Sequence, residues 1–257
     1  MSKSLRLNCD LGESFGAWSM GNDAEMMPLI DCANIACGFH GGDPMVMART
    51  VALAAQHHVW IGAHPSYPDL VGFGRRSMAL SPAEVTATVL YQLGALSAFC
   101  RQHNTQIRYV KPHGALYHDM LKNDQTFAAV LAAVNHFDSQ LPLVMLAHPK
   151  PSHWQDMADA AGITLWFEAF ADRAYRADGA LVPRSQPGAV LASADAMSKQ
   201  ALQIAQEGSV TSVDGTVISL NAHTLCVHGD TPSALAAVRK IRQYLDEHQQ
   251  ATSGGPL

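Results

Sequence analysis

The sequence predicts an α/β fold in which parallel strands alternate with helices and close as a barrel of seven strand–helix units. Three observations carry the prediction. Short apolar runs, of which Ala33-Asn34-Ile35-Ala36-Cys37 is the clearest, have the composition of strands buried on both faces. Each run is followed by a helical pattern. Each run also ends in polar chemistry, so every strand delivers functional groups at its C-terminal end. That distribution belongs to a closed barrel, whereas an open doubly wound sheet concentrates function at one switch point. With 257 residues and no break in composition, one domain is expected over residues 1–248, followed by a frayed tail over 249–257.

The elements follow in order. Leu5 to Asp10 alternates apolar and polar residues and ends on Asp10-Leu11-Gly12-Glu13, the first strand. Asn22 is placed to cap a short helix containing Met26 and Met27. The second strand runs into Gly38-Phe39-His40-Gly41-Gly42, with Asp43 as N-cap and Pro44 as first helical residue, where its missing N–H costs nothing. An amphipathic helix over Met45 to His57 offers Val46, Ala48, Val51 and Leu53 for packing. Trp60 to Ala63 is strand three, ending at His64-Pro65 and followed by the glycine-rich loop Leu70 to Arg76. Ser81-Pro82-Ala83-Glu84 reads as a capping box opening a helix to His103. Ile107 to Val110 is strand four, ending Lys111-Pro112-His113-Gly114. A helix over Asp124 to Phe137, strand five over Leu143 to Ala147, and a helix capped by Ser152 and closed by Gly162 come next. Strand six, Thr164 to Phe170, contains Glu168, which has a cation on a neighbouring strand as its simplest partner. Ala174 to Ser193 reads as a long loop, and a loop of that length in a compact domain is usually functional. Its Gly179 to Pro187 part, flanked by Arg176 and carrying Arg184, is expected to act as a lid or a partner-docking loop. A helix over Ala194 to Glu207, a hairpin at Val213-Asp214-Gly215-Thr216, strand seven over Thr224 to Val227 and a last helix complete the chain.

The net charge of -5 gives no basic footprint for nucleic acid. No apolar run approaches the ~18 residues of a membrane span, and the N-terminus has no signal-peptide pattern. Five cysteines without a C-x-x-C pair fit buried thiols in a reducing cytoplasm, the expected location.

Five histidines, His40, His64, His113, His148 and His228, fall at strand C-termini together with Asp10, Glu13, Lys111, Asp172, Arg173 and Asp230. Singly, each has a plain structural explanation, such as helix capping by Asp43 or Asp230. Jointly they do not, because each buried unpaired polar group costs about 1–3 kcal/mol. A crowded rim of them implies an active site, with imidazole and carboxylate as acid–base groups and Lys111 and Arg173 as partners for anionic substrate or developing charge. Phosphate-binding glycine motifs and a G-x-S-x-G elbow are both missing. The spacing matches no metal-binding signature, so no metal ligand is assigned.

Six stretches then resemble one family in order along nearly the whole chain. They are Asn8-x-Asp10-Leu11-Gly12-Glu13, Ala33 to His40 with Gly42-Asp43, Gly62-Ala63-His64-Pro65, Val110 to Tyr117, Phe170 to Arg173 with Tyr175, and Cys226 to Asp230. Together they are similar to the LamB/YcsF family. The resemblance implies an incomplete TIM-like (β/α)7 barrel akin to that of polysaccharide deacetylases. It implies cleavage of 5-oxo-L-proline to L-glutamate coupled to hydrolysis of ATP, used with Mg2+, in company with 5-oxoprolinase subunits B and C. No tightly bound metal is expected. Rim position and motif match together nominate Asp10, Glu13, His40, His64, Lys111 and His113 as catalytic, and Asn34, Asp172, Arg173, Tyr175, His228 and Asp230 as substrate-binding. Asp10, ahead of Glu13, is the expected base, oriented by His40 or His64, and Lys111 is expected to meet charge on the lactam oxygen. His148 matches none of the motifs and takes a structural reading. Two other readings compete: a metal-dependent amide hydrolase of the deacetylase type, and a module that binds 5-oxoproline for a catalytic partner.

Overall fold

A computed structural model describes residues 5–228 and 233–253, with side chains to residue 247. Asp230 therefore lies outside the described residues. The apolar runs form the strands β1 (Arg6–Leu11), β2 (Cys32–Ala36), β3 (Trp60–His64), β4 (Ile107–Val110), β5 (Leu143–Leu146), β6 (Leu165–Phe170) and β9 (Thr224–Cys226). Among the described residues these seven close a parallel barrel in the order β1-β2-β3-β4-β5-β6-β9, with β9 pairing back onto β1. The short antiparallel pair β7 (Ser209–Thr211) and β8 (Val217–Ser219) stands apart, the hairpin expected around Asp214-Gly215.

Helices cover the outside because their apolar stripes match the outward strand residues. They are α1 (Asp23–Met26), α2 (Pro44–Gln56), α3 (Pro82–Gln102), α4 (Gly114–Met120), α5 (Asp124–Asp138), α6 (Ser152–Ala160), α7 (Ala194–Glu207) and α8 (Ala234–Ser253). The start signals act as read. Asp43 accepts from the Met45 and Val46 amides, and Ser81 and Glu84 form the reciprocal capping box. Gly208, at φ 60°, ends α7 in the left-handed conformation. Two caps differ: Asn22 binds the Glu25 carboxylate instead of backbone, and Pro151 precedes α6, leaving Ser152 as its first residue. Helix α4 is absent from the sequence reading, since it is only seven residues long and begins directly on the Pro112-His113-Gly114 turn. Helix α8 runs to Ser253, so helical backbone occupies part of the segment expected to fray.

The barrel interior is built in layers. At the N-terminal end of the strands, Cys32, Tyr109 and Val144 pack with Trp60 and Trp166, and the Arg6 guanidinium lies 3.8 Å from the Trp60 ring. Tyr109 can cross the interior because its neighbour in register is Gly62, where a Cβ would fall 2.1 Å from the tyrosine ring. Above this plug the interior turns polar. Asn34 donates to Asn8 and to Asp10, each at 2.7 Å, and accepts from the Tyr109 hydroxyl at 2.6 Å. Asn8 in turn donates to Thr224 at 2.7 Å. In the next layer the Lys111 ammonium sits 2.9 Å from Asp10 and 2.9 Å from Glu168, and contacts Asn8 and the Cys226 sulfur at 3.3 Å. Glu168 thus finds its cation on another strand.

All five cysteines are buried thiols. None of the described helices is long and apolar enough to cross a membrane.

Lys111 is 3% exposed and Glu168 is completely buried, so this ion pair has no solvent to fall back on. Removing one partner of a buried pair leaves an uncompensated charge and typically costs about 3–5 kcal/mol. Lys111→Met is therefore expected to lose stability of that order in urea unfolding, with part of the loss recovered when Glu168→Gln is added. An unchanged unfolding midpoint in Lys111→Met would contradict the arrangement.

Candidate active site

The strand C-termini and the turns after them gather the predicted rim. Asp10 is held in one orientation by Asn34 and Lys111 on Oδ1, and its Oδ2 lies 3.3 Å from His64 Nε2. Burial raises the Asp10 carboxyl, but the His64 and Lys111 charges outweigh it and hold it well below the usual carboxylate range. Burial also opposes the charge on Lys111, yet Asp10 and the other neighbours keep it well above the ordinary lysine value. Lys111 lines the site but is consumed by two carboxylates. The expectation of a lysine free to meet the lactam oxygen gives way to one that anchors Asp10.

Three imidazoles stand over this pair. The His113 and His40 rings stack at 3.7 Å between centroids, and His64 meets both edge-on. The loop after β3 fixes them. Phe73, at φ 54°, presents its carbonyl 2.9 Å from His113 Nε2, and Gly74, at φ 63°, lies where a Cβ would be 2.9 Å from both His113 and His40. Hydrogen bonding then dictates the tautomers. His64 Nδ1 lies 2.6 Å from the Lys111 carbonyl and must donate to it, and His113 Nε2 must donate to the Phe73 carbonyl. The remaining nitrogens, His64 Nε2 and His113 Nδ1, face each other at 3.0 Å, with Glu13 Oε1 3.5 Å from His113 Nδ1. With both rings neutral these nitrogens are acceptors and repel at that separation, and a proton or a cation between them removes the conflict.

Glu13 suits a shared proton. It takes a hydrogen bond from His40 Nε2 at 3.1 Å, and burial pushes its carboxyl upward against the opposing pull of His113. Burial first, then the neighbouring imidazoles, lowers His113 well below the ordinary histidine value; His40 moves the same way through burial and His64. The same atoms suit a divalent cation. One donor each from Glu13, His40, His64 and His113 falls within 4.8 Å of the others, a convergence that no local spacing in the sequence reveals.

On the opposite wall His228 Nδ1 pairs with Asp172 at 2.7 Å, and its Nε2 lies 3.6 Å from Asp10. Burial works against the His228 charge, but Asp172 outweighs it and raises the imidazole above its usual value. Arg173 donates to the carbonyls of Ala189 and Val182, so it staples the long loop while lining the pocket. That loop is no loose insertion. Arg173 bridges Val190, Tyr175 bridges Leu181, and Ala174, Val182 and Ala189 form a small core of their own.

The inner pocket holds about 50 Å³, room for a few water molecules, and is lined by Asp10, Glu13, His64, Lys111, His113, Arg173 and His228 among others. Four expected members stand elsewhere. Asn34 is fully buried behind Asp10, and Asp172 is 2% exposed behind His228, so each orients a neighbour. Tyr175 is fully buried, its hydroxyl accepting from the Phe170 amide, and it serves the loop rather than a substrate. His40 likewise sits behind His113. Arg75, Tyr117, His118 and Arg184 join the lining without having been assigned. His118 follows from α4, which starts directly after His113 and carries His118 round to the same pocket one turn later.

Comparison with known proteins agrees with this geometry. Residues 5–254 match the LamB/YcsF family. A Vibrio cholerae protein, named as the first of the lettered 5-oxoprolinase subunits, is 57% identical over 248 residues, covering 96% of this chain and all of the relative. A Pseudomonas fluorescens protein of the same name is 55% identical, covering 95% and 97%. The crystal structure of a lactam utilization protein from Thermus thermophilus superposes with a TM-score of 0.88 at 45% identity, over 96% of this chain and 97% of that one. The chain belongs to the LamB/YcsF family.

Proposed function

We propose that this chain is the ring-opening subunit of an ATP-dependent 5-oxoprolinase, working in the cytoplasm with subunits B and C. The observation that carries the reading is the inner pocket. It places an acid–base cluster and room for water beside a wall of cationic groups, and it does so in a relative of proteins named as 5-oxoprolinase subunits.

A five-membered lactam is a resonance-stabilised amide, so its carbonyl carbon resists water. Transfer of a phosphoryl group to the lactam oxygen removes that resonance and releases the nucleoside diphosphate. Water then adds to the ring carbon and the C–N bond breaks. The electron pair passes to nitrogen, which becomes the amine of glutamate. A second water cleaves the resulting acyl phosphate to the carboxylate and phosphate. The protein's share is to remove a proton from water, return one to nitrogen and hold the negative charges.

Glu13 is the better base. Asp10 is locked by Lys111 and Asn34 and held far below working pH, whereas Glu13 is lifted by burial, reaches the pocket and shares a proton network with His113 and His64. This reverses the order expected from the sequence. His228, whose charged form Asp172 favours, and Arg173 are the partners for the substrate carboxylate and phosphate.

A base must be deprotonated to act, so kcat/KM should rise with pH through a limb lying above the ordinary glutamate value. Glu13→Gln should abolish that limb and lower turnover about 10²–10⁴-fold. Asp10→Asn should reduce the rate and leave the limb in place; the opposite pattern would return the role to Asp10.

The His228 charge has the other sign. Its raised pKa means the imidazolium is present at and below the ordinary histidine value and is lost as pH rises through the shifted one. Substrate affinity should therefore fall on the alkaline side. Asp172→Asn should move that fall to lower pH, and an unmoved limb would exclude His228 as the cation.

The converging donors of Glu13, His40, His64 and His113 favour one second reading, a metal-dependent amide hydrolase. Elemental analysis of the purified chain separates the two. A stoichiometric divalent transition metal, with lactam hydrolysis independent of ATP, would replace the first reading by the second.

A further inference from the structure

Glu13 lies in the turn after β1, and the backbone around it is held from two sides. One residue beyond the last β1–β2 ladder pair, Leu11 with Ile35, the Gly12 amide donates to Asp23 Oδ2 at 2.9 Å. Thr50, buried on α2, donates its hydroxyl to the same oxygen at 3.1 Å. Gly12 has φ 70°, and a Cβ there would fall 3.0 Å from Thr50 Oγ1, so this position suits glycine on both counts. On the other side stands the turn that carries His40. Its Gly42 amide donates to the Ser14 carbonyl at 2.9 Å, and a Cβ on Gly41 would fall 2.6 Å from the Glu13 carbonyl oxygen.

Helix capping does not account for Asp23. The N-cap of α1 is Asn22, and Asp23 is the first residue of the helix. An acid in a first turn can favour the helix dipole from a solvent-facing position. Asp23 instead turns inward to the end of β1 and to α2, and its Oδ1 is buried without a hydrogen-bond partner among the described residues. Burying an unpaired carboxylate oxygen is unfavourable. What the arrangement secures is Gly12, the residue directly before Glu13 and the one whose backbone is freest to rotate. With this turn fixed, Glu13 Oε1 stands 3.1 Å from His40 Nε2 and 3.5 Å from His113 Nδ1.

We infer that Asp23, backed by Thr50, is a positioning residue for ring opening: it holds Gly12 in its left-handed conformation and so keeps the Glu13 carboxylate aimed into the inner pocket. The inference rests on the reading of Glu13 as the base. Asp23 does not line the inner pocket, so its effect reaches the substrate through Glu13 alone.

The test is the steady-state rate of glutamate release from 5-oxoproline and ATP by the chain assembled with subunits B and C. Asp23→Ala should lower kcat about 10–10²-fold and keep KM within about twofold, as expected when a reacting group is misplaced by a fraction of an ångström. A lost binding contact would raise KM instead. Asp23→Asn, whose amide oxygen can accept the same two hydrogen bonds, should recover most of the rate. Thr50→Val, which keeps the side-chain shape and removes the donor, should lose rate in the same direction; it carries the test if Asp23→Ala fails to fold. Two comparisons separate positioning from a general loosening of α1. Glu25→Gln breaks the exposed contact between α1 and Arg239 on α8 and leaves Gly12 alone, so it should keep the wild-type kcat. Adding Asp23→Ala to Glu13→Gln should lower the rate no further, because the group being positioned is already gone. An equal loss in both backgrounds, an Asp23→Asn variant as slow as Asp23→Ala, or a Glu25→Gln variant as slow as either overturns the inference. A wild-type rate in Asp23→Ala beside a slow Glu13→Gln overturns the positioning role and leaves the base in place. A wild-type rate in Glu13→Gln removes the base, and the inference with it.

Discussion

The structure depends on an ammonium group placed between two carboxylates inside a closed barrel. Lys111 reaches from the end of β4 to Asp10 on β1 and Glu168 on β6, and so ties together strands that are not neighbours. A barrel interior has little water, so each of these charges is tolerable only because the others are present. Asn8, Asn34, Tyr109 and Thr224 complete the layer with a chain of hydrogen bonds that runs from Thr224 through the two asparagines to Asp10. Geometry follows from that requirement: once Asp10 is held on Oδ1 from below, its Oδ2 is presented upward to His64 and His228.

The same polar layer separates two kinds of interior. Below it, aromatic and small apolar side chains fill the barrel and contribute stability. Above it, the strand ends bring imidazoles and carboxylates together at distances that are unfavourable without a mobile proton, a cation or a ligand. The His64–His113 contact is the clearest case, since both rings have already committed their N–H groups to backbone carbonyls. Strain of this electrostatic kind is tolerated at a reacting centre because the barrel holds the donors rigidly, at positions where charge changes during the reaction.

Loops supply the remaining parts. The glycine-rich loop after β3 acts as a clamp on two imidazoles, through one carbonyl and one position that admits no side chain. The long loop after β6 folds on itself and brings arginines over the site. In a chain with net negative charge, cations are thus concentrated over one face of the rim, where anionic groups of a substrate would enter.

The seven strands, the capped helices and most of the rim were legible in the residues alone, because they depend on local rules. Apolar runs make buried strands, Asp43-Pro44 and Ser81-Pro82 start helices, and a barrel sends whatever ends each strand to a common face. Glu168 inside an apolar strand already pointed to a cation on another strand. Roles within the rim were not legible, because they depend on distances between residues far apart in the chain. Whether Asp10 or Glu13 is the freer carboxylate turns on Lys111, which lies about a hundred positions away. Whether Asn34 and Tyr175 face a ligand or a neighbour turns on packing depth: Asn34 lies inside the barrel beneath Asp10, and Tyr175 is buried under the loop after β6 with its hydroxyl on the Phe170 amide. Helix α4 escaped because a seven-residue helix has too few turns to show a period, and His118 escaped with it. The sequence by itself determined which chemical groups arrive at the mouth of the barrel. Only the tertiary structure decided which of them neutralise one another and which are left to act, since burial and proximity, not residue type, set the charge that each one carries.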